Sequence, residues 1–157
     1  RLSHIEDAKP WILAWGIKAQ INYGTKDQNF LTSMGNSGSV RGWQYPNYTN
    51  YNDSEQEYRF GFHNLKTAIE LRKVIIPRLP LANLYEFGLT VGAFIDLGVT
   101  TKNDFKNLLN LKPISGSGIT FQFQAPFVEI LRIDYGWGFY NGKQVDRGLH
   151  IATQHQI

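Results

Sequence analysis

Tyr85-Glu86-Phe87-Gly88-Leu89-Thr90-Val91-Gly92-Ala93-Phe94-Ile95-Asp96-Leu97-Gly98-Val99 alternates without a break. The odd positions are all apolar or aromatic. The even positions carry Glu86, Thr90, Asp96, several glycines and Phe94. Side chains on a strand point to opposite faces with period two, so this is one long strand with a greasy face and a wetter one. Its apolar face is close to the roughly 9–11 residues that a tilted strand needs to cross a bilayer.

Working outward, the same parity recurs. Trp11, Leu13, Trp15, Ile17, Ala19, Ile21 and Tyr23 alternate with Lys18, Gln20 and Asn22. Leu65, Ile69, Leu71 and Ile75 oppose Lys66, Glu70 and Arg72. Pro77 and Pro80 are expected to end that strand, since proline donates nothing to a ladder. Ile119, Phe121 and Phe123 form a fourth strand, and Leu131, Ile133, Tyr135, Trp137 and Phe139 a fifth. Leu149, Ile151, Thr153 and Ile157 share a face of the last, opposite His150, Ala152, Gln154 and Gln156. The pattern gives about six strands and no sizeable helix, with only a helical turn near 104–109. Connections run long, short, long, short, medium, so the long loops gather on one rim. Bacterial outer-membrane barrels have that asymmetry.

The longest connection, about residues 24–63, holds Gly35-Asn36-Ser37-Gly38-Ser39-Val40-Arg41-Gly42-Trp43. One arginine stands among turn-forming glycines and apolar anchors. Its planar fork suits docking onto carboxylates. The competing reading is a mobile surface loop.

Composition bounds the function. The chain has no cysteine, hence no disulfide, thiolate metal site or cysteine nucleophile. A net charge of +3 without a basic run gives nucleic-acid binding no support. His4, His63, His150 and His155 form no metal set, because 150 and 155 face opposite ways on a strand. No nucleophile elbow or phosphate loop is present, and no catalytic residue, metal or cofactor is expected. The chain starts at Arg1 without a leader-like run and is expected to be a mature piece or a fragment.

An alternating all-β chain fits either a soluble sandwich or barrel, greasy side inward, or a membrane barrel, greasy side outward. Mid-strand charges at Glu70, Arg72, Arg132 and Asp134, and aromatics near strand ends, favour the membrane form. Arg132 and Asp134 lie two apart on one face; a specific pair and merely hydrated charges are both open readings. Bacterial membrane barrels start at about 8 strands. About six are therefore expected to be part of a larger antiparallel up-and-down barrel.

The chain resembles the C-terminal part of the outer-membrane assembly-factor barrel, the bacterial surface antigen family that includes BamA and TamA. Val40-Arg41-Gly42-Trp43 is similar to that family's loop motif, with Trp where Phe or Tyr is usual. Gly92-Ala93-Phe94-Ile95-Asp96-Leu97-Gly98 is similar to its G-x-F-x-D-x-G strand. Leu131-Arg132-Ile133-Asp134-Tyr135 is similar to its penultimate-strand signature, carried by Arg132 and Asp134, and His150 to Ile157 to its closing strand, though Ile157 replaces a terminal aromatic. The resemblance implies a transmembrane barrel of about 16 strands, of which residues 1–157 are the C-terminal portion. It also implies a location in the bacterial outer membrane and a loop folded into the lumen, where Arg41 meets Glu70 and Asp96. The implied role is non-enzymatic: folding and inserting other outer-membrane barrels. The seam strand would carry Leu149, Ile151, Gln154 and Ile157. Implied partners are the N-terminal remainder of the barrel, outer-membrane lipid, unfolded clients and accessory assembly subunits. A two-partner-type secretion pore shares the same core. A soluble β-barrel binding protein is the alternative of a different class.

Overall fold

The structure, a computed structural model, describes residues 9–24, 26–46, 56–81, 85–125 and 128–154. His4, His155 and Ile157 lie outside them. The side chain of Gln154 does too, although its backbone closes the last strand.

Strand β1 spans Trp11–Gln20. Two short strands, β2 (Thr32–Ser33) and β3 (Phe60–Gly61), follow within the long connection. Then come β4 (His63–Leu81), β5 (Tyr85–Thr101), β6 (Ile114–Ala125), β7 (Val128–Tyr140) and β8 (Lys143–Gln154). Six of these form one antiparallel sheet in the order β1-β4-β5-β6-β7-β8, and β2 pairs with β3 as a separate ribbon. The all-β, up-and-down reading holds. Among the described residues β1 and β8 do not pair, so the sheet is an open part of a barrel.

Parity decides the two faces. In β5 Ile95 is 58 % exposed while its neighbours Phe94 and Asp96 are 2 % and 1 % exposed. Register carries this rule from strand to strand: Ile69 faces Ile95, Asp96 faces Gly116, and Asp134 faces His150. Ile69, Leu71, Leu97, Ile119, Trp137, Leu149 and Ile151 stand exposed on the odd-numbered side. Burial on the other side comes from the described part of the 21–62 connection, which lies against it around Met34–Trp43 and Arg59–Phe62.

Several boundaries differ from the sequence reading. β4 does not stop at Pro77 but runs through Pro80 to Leu81. Its register pairing with β1 ends at Lys73, and after the Val74 N–H, which donates to Pro10 O at 3.2 Å, that edge of β4 has no strand partner among the described residues. Register shifts between Val74 and Leu79 absorb Pro77 on the β5 side, while Pro80 stays in register opposite Glu86. The last connection is a two-residue turn, not a medium loop. Asn141 and Gly142 both take positive φ, 53° and 74°, the geometry that joins twisted antiparallel strands. β1 ends at Gln20 instead of Tyr23. The helical turn occurs as a 3-10 segment at Phe105–Asn110.

Candidate functional site

The site is the contact between the long connection and the even-numbered face of the sheet. Arg41, 5 % exposed, is its centre. Its Nε and Nη2 donate to Asp96 Oδ2 and Oδ1, both at 2.8 Å, the bidentate fork that fixes a guanidinium in one plane. Its Nη1 donates to Glu70 Oε2 at 2.6 Å. Its backbone N–H also donates to Asp96 Oδ2, at 3.0 Å. The guanidinium lies over the Phe94 ring, 3.8 Å from the centroid. Asp134 Oδ1 is 3.8 Å away, which adds field but no hydrogen bond.

Burial alone would disfavour the Arg41 cation. Hydrogen bonds and charge from Asp96, then from Glu70, outweigh it and raise its pKa above the ordinary value. Glu70 is itself held by Arg72 Nε at 2.5 Å and Gln122 Nε2 at 3.2 Å. Asp96 has Arg41 as its one ion-pair partner among the described residues. Arg132 Nε lies 2.9 Å from Asp134 Oδ2. That pair is not aligned as a hydrogen bond, and both Asp134 oxygens lack a hydrogen-bond partner among the described residues.

The neighbours of Arg41 explain how its backbone gets so close. Gly42 sits at φ +86° against the Trp137 backbone, where a Cβ would be 2.7 Å from the Trp137 carbonyl oxygen. On the sheet, Gly98, Gly116 and Gly138 leave a floor without side chains. A Cβ at Gly116 would collide with the Arg41 carbonyl, one at Gly138 with the Trp43 ring, and one at Gly98 with Val40 and Met34. Val40, Trp43, Met34 and Ile114 form a buried cluster on that floor. Trp43 Nε1 donates to Ser115 O at 2.8 Å. Gln44 N–H donates to Asp146 Oδ2 at 3.0 Å, which ties the connection to β8.

Two further residues escaped the sequence reading. Arg59 is buried, and its side chain donates to three carbonyls, Met34 at 3.1 Å, Gly35 at 2.9 Å and Gln44 at 2.6 Å. It bridges two stretches of the connection, at 34–35 and at 44, and no sequence signal marks a cation whose partners are backbone. Phe94 is the second. An aromatic at an even position of an otherwise polar face was visible, but its use as a platform for Arg41 was not. Leu149 and Ile151 stand exposed on the odd face of β8, away from the Arg41 cluster.

No curated protein and no solved structure matches the chain. A family model does: the Omp85 superfamily domain matches residues 2–154. Proteins of that superfamily are outer-membrane β-barrels of the protein insertion and secretion class, transport and assembly proteins and not enzymes. A match over nearly the whole chain, on a sheet of this topology, means that the chain belongs to the Omp85 superfamily.

Proposed function

We propose that residues 1–157 are the C-terminal portion of an outer-membrane barrel that helps fold and insert other outer-membrane β-barrel proteins. In this reading Val40, Arg41, Gly42 and Trp43 anchor a loop, about residues 24–63, inside the lumen. Glu70 and Asp96 are its wall partners, and Arg132 and Asp134 flank the anchor. The C-terminal stretch that holds β8, with Leu149, Ile151 and Gln154, and then Ile157, is the seam at which client strands template. The N-terminal remainder of the barrel closes the wall, and lipid, unfolded clients and accessory subunits complete the machine.

One observation supports this most. The connection is fastened at two distant places on the sheet, to β4 and β5 through Arg41 and to β8 through Gln44 and Asp146. Loop position and seam strand are therefore mechanically joined. β8 continues without proline to Gln154 and pairs with β7 on one side, so the donors and acceptors of its other edge, which has no partner among the described residues, can serve a new strand. The test uses the intact protein with one cysteine at Gln154 and one on the facing first strand. Oxidation is expected to block insertion of a client barrel into vesicles. A control lock between β5 and β6, at the register pair Leu89 and Phe123, is expected to leave insertion unchanged. Unimpaired insertion with the seam locked would remove the proposal. Passage of a soluble secreted cargo through the same vesicles would select the secretion pore instead.

A further inference from the structure

The 3-10 turn Phe105–Asn110 does not stand free above the rim. It folds against β4 and β5 and buries Leu108 at 2 % exposure. It lands on the odd-numbered face, opposite to the Arg41 cluster. Between the turn and the sheet lies an open groove of about 520 Å³. Trp15, Ile17, Leu65, Leu97, Leu109 and Leu111 are its main walls. Its few polar atoms are already engaged. Trp15 Nε1 donates to Thr67 Oγ1 at 3.1 Å, and that hydroxyl donates to Gly16 O at 3.2 Å. The volume falls in the range of small-ligand sites, roughly 300–1,000 Å³.

The turn is amphipathic in an unusual sense for an aqueous loop. Leu109 is 83 % exposed, and Phe105 and Leu111 are also open. Interleaved with them are Lys106 and Lys112, both exposed and neither in an ion pair nor a hydrogen bond among the described residues. Lys102, by contrast, is 3.4 Å from Glu57. Asp104 is the only acid between residues 102 and 113. Greasy walls, with unpaired ammonium groups at residues 106 and 112 on the same connection as the lining residues Leu108, Leu111 and Pro113, fit an amphiphile with an acyl chain and a compact anionic head. Lysine serves phosphate as a point charge, without a geometric fork. The groove opens at the rim of the long connections, which in bacterial outer-membrane barrels is the external one.

We propose that this groove binds one acyl chain of a phosphorylated glycolipid of the external leaflet, with Lys106 and Lys112 on its phosphates. The turn then acts as a lipid clasp on the outside of the wall. The site is separate from the Arg41 anchor and does not depend on the assembly role.

The experiment takes the intact barrel in phosphatidylcholine bilayers doped with either lipid A or phosphatidylglycerol. Bound lipid is then counted by native mass spectrometry. Lipid A is expected to remain on the barrel and phosphatidylglycerol to wash off. Each of Lys106→Glu and Lys112→Glu should reduce lipid A retention at least about fivefold, the scale of one basic side chain at an anionic surface. Leu97→Trp, which fills the groove from its floor, should abolish retention. Heat-modifiable migration reports whether that variant folds. If it does not, the two surface lysine variants decide alone. Equal retention of both lipids, unchanged retention in the lysine variants, no adduct, or an adduct with the mass of a second barrel would overturn the proposal.

Discussion

Replacing Arg41 by Ala removes the only cation among the described residues that meets both Glu70 and Asp96. Four hydrogen bonds go with it, three to Asp96 or Glu70 side-chain oxygens from the guanidinium and, if the backbone shifts, one from the Arg41 N–H. The two carboxylates do not suffer equally. Glu70 keeps Arg72 and Gln122. Asp96, 1 % exposed, keeps no ion-pair partner among the described residues. Breaking a buried pair by removing one member costs about 3–5 kcal/mol, chiefly because the other charge is left buried. At about 1.4 kcal/mol per tenfold, even 3 kcal/mol raises the detached population of the connection by roughly two powers of ten. Hydrogen exchange on the intact barrel measures it. Amides around Met34–Trp43 should lose protection by that factor, while β5–β7 amides hold theirs. Adding Asp96→Ala should recover part of the loss, since the stranded charge is gone, and the double-mutant cycle should show a coupling of about 2 kcal/mol or more. Arg41→Lys should fall in between, having charge without the fork. A coupling near zero, or a lysine variant as protected as the parent, would refute the idea that this cluster holds the connection down.

Gly116→Val should displace the connection about as fully as Arg41→Ala, because its side chain needs the space of the Arg41 carbonyl; protease sensitivity confined to residues 24–62 would show it. Trp43→Ala empties a buried site and should cost about 3–5 kcal/mol of loop anchoring, measured by the same exchange experiment. Ile95→Lys on the odd face should destabilise the barrel in lipid by about 2–4 kcal/mol near mid-membrane, read from denaturant titration in vesicles, whereas Gln122→Lys on the even face should cost much less.

Alternation in 85–99 was enough to assign both faces of β5, and through register those of its neighbours. The prolines misled because the penalty for a missing N–H depends on whether a neighbour asks for it. At Pro77 and Pro80 β4 has no partner strand on the β1 side among the described residues, and only three-dimensional pairing reveals that. The meeting of Arg41 with Glu70 and Asp96 followed from a family resemblance and from parity, not from spacing along the chain. Arg59 was illegible for a plainer reason: carbonyls are everywhere, so a side chain that binds three of them leaves no complementary letter in the sequence.

The glycine floor has a consequence for how the even-numbered side of this sheet is filled. A bore packed by side chains rooted in its own wall can be emptied only by rebuilding each strand. Here Gly98, Gly116 and Gly138 contribute nothing, and the space belongs to a segment tethered at its two ends, Gln20 and His63. Such a filling is a stopper and not masonry. It can be withdrawn whole once the Arg41 cluster, the Trp43 packing and the Gln44–Asp146 tie have let go, leaving at these three glycines a wall that a different stretch of polypeptide can lie against at the same backbone distance.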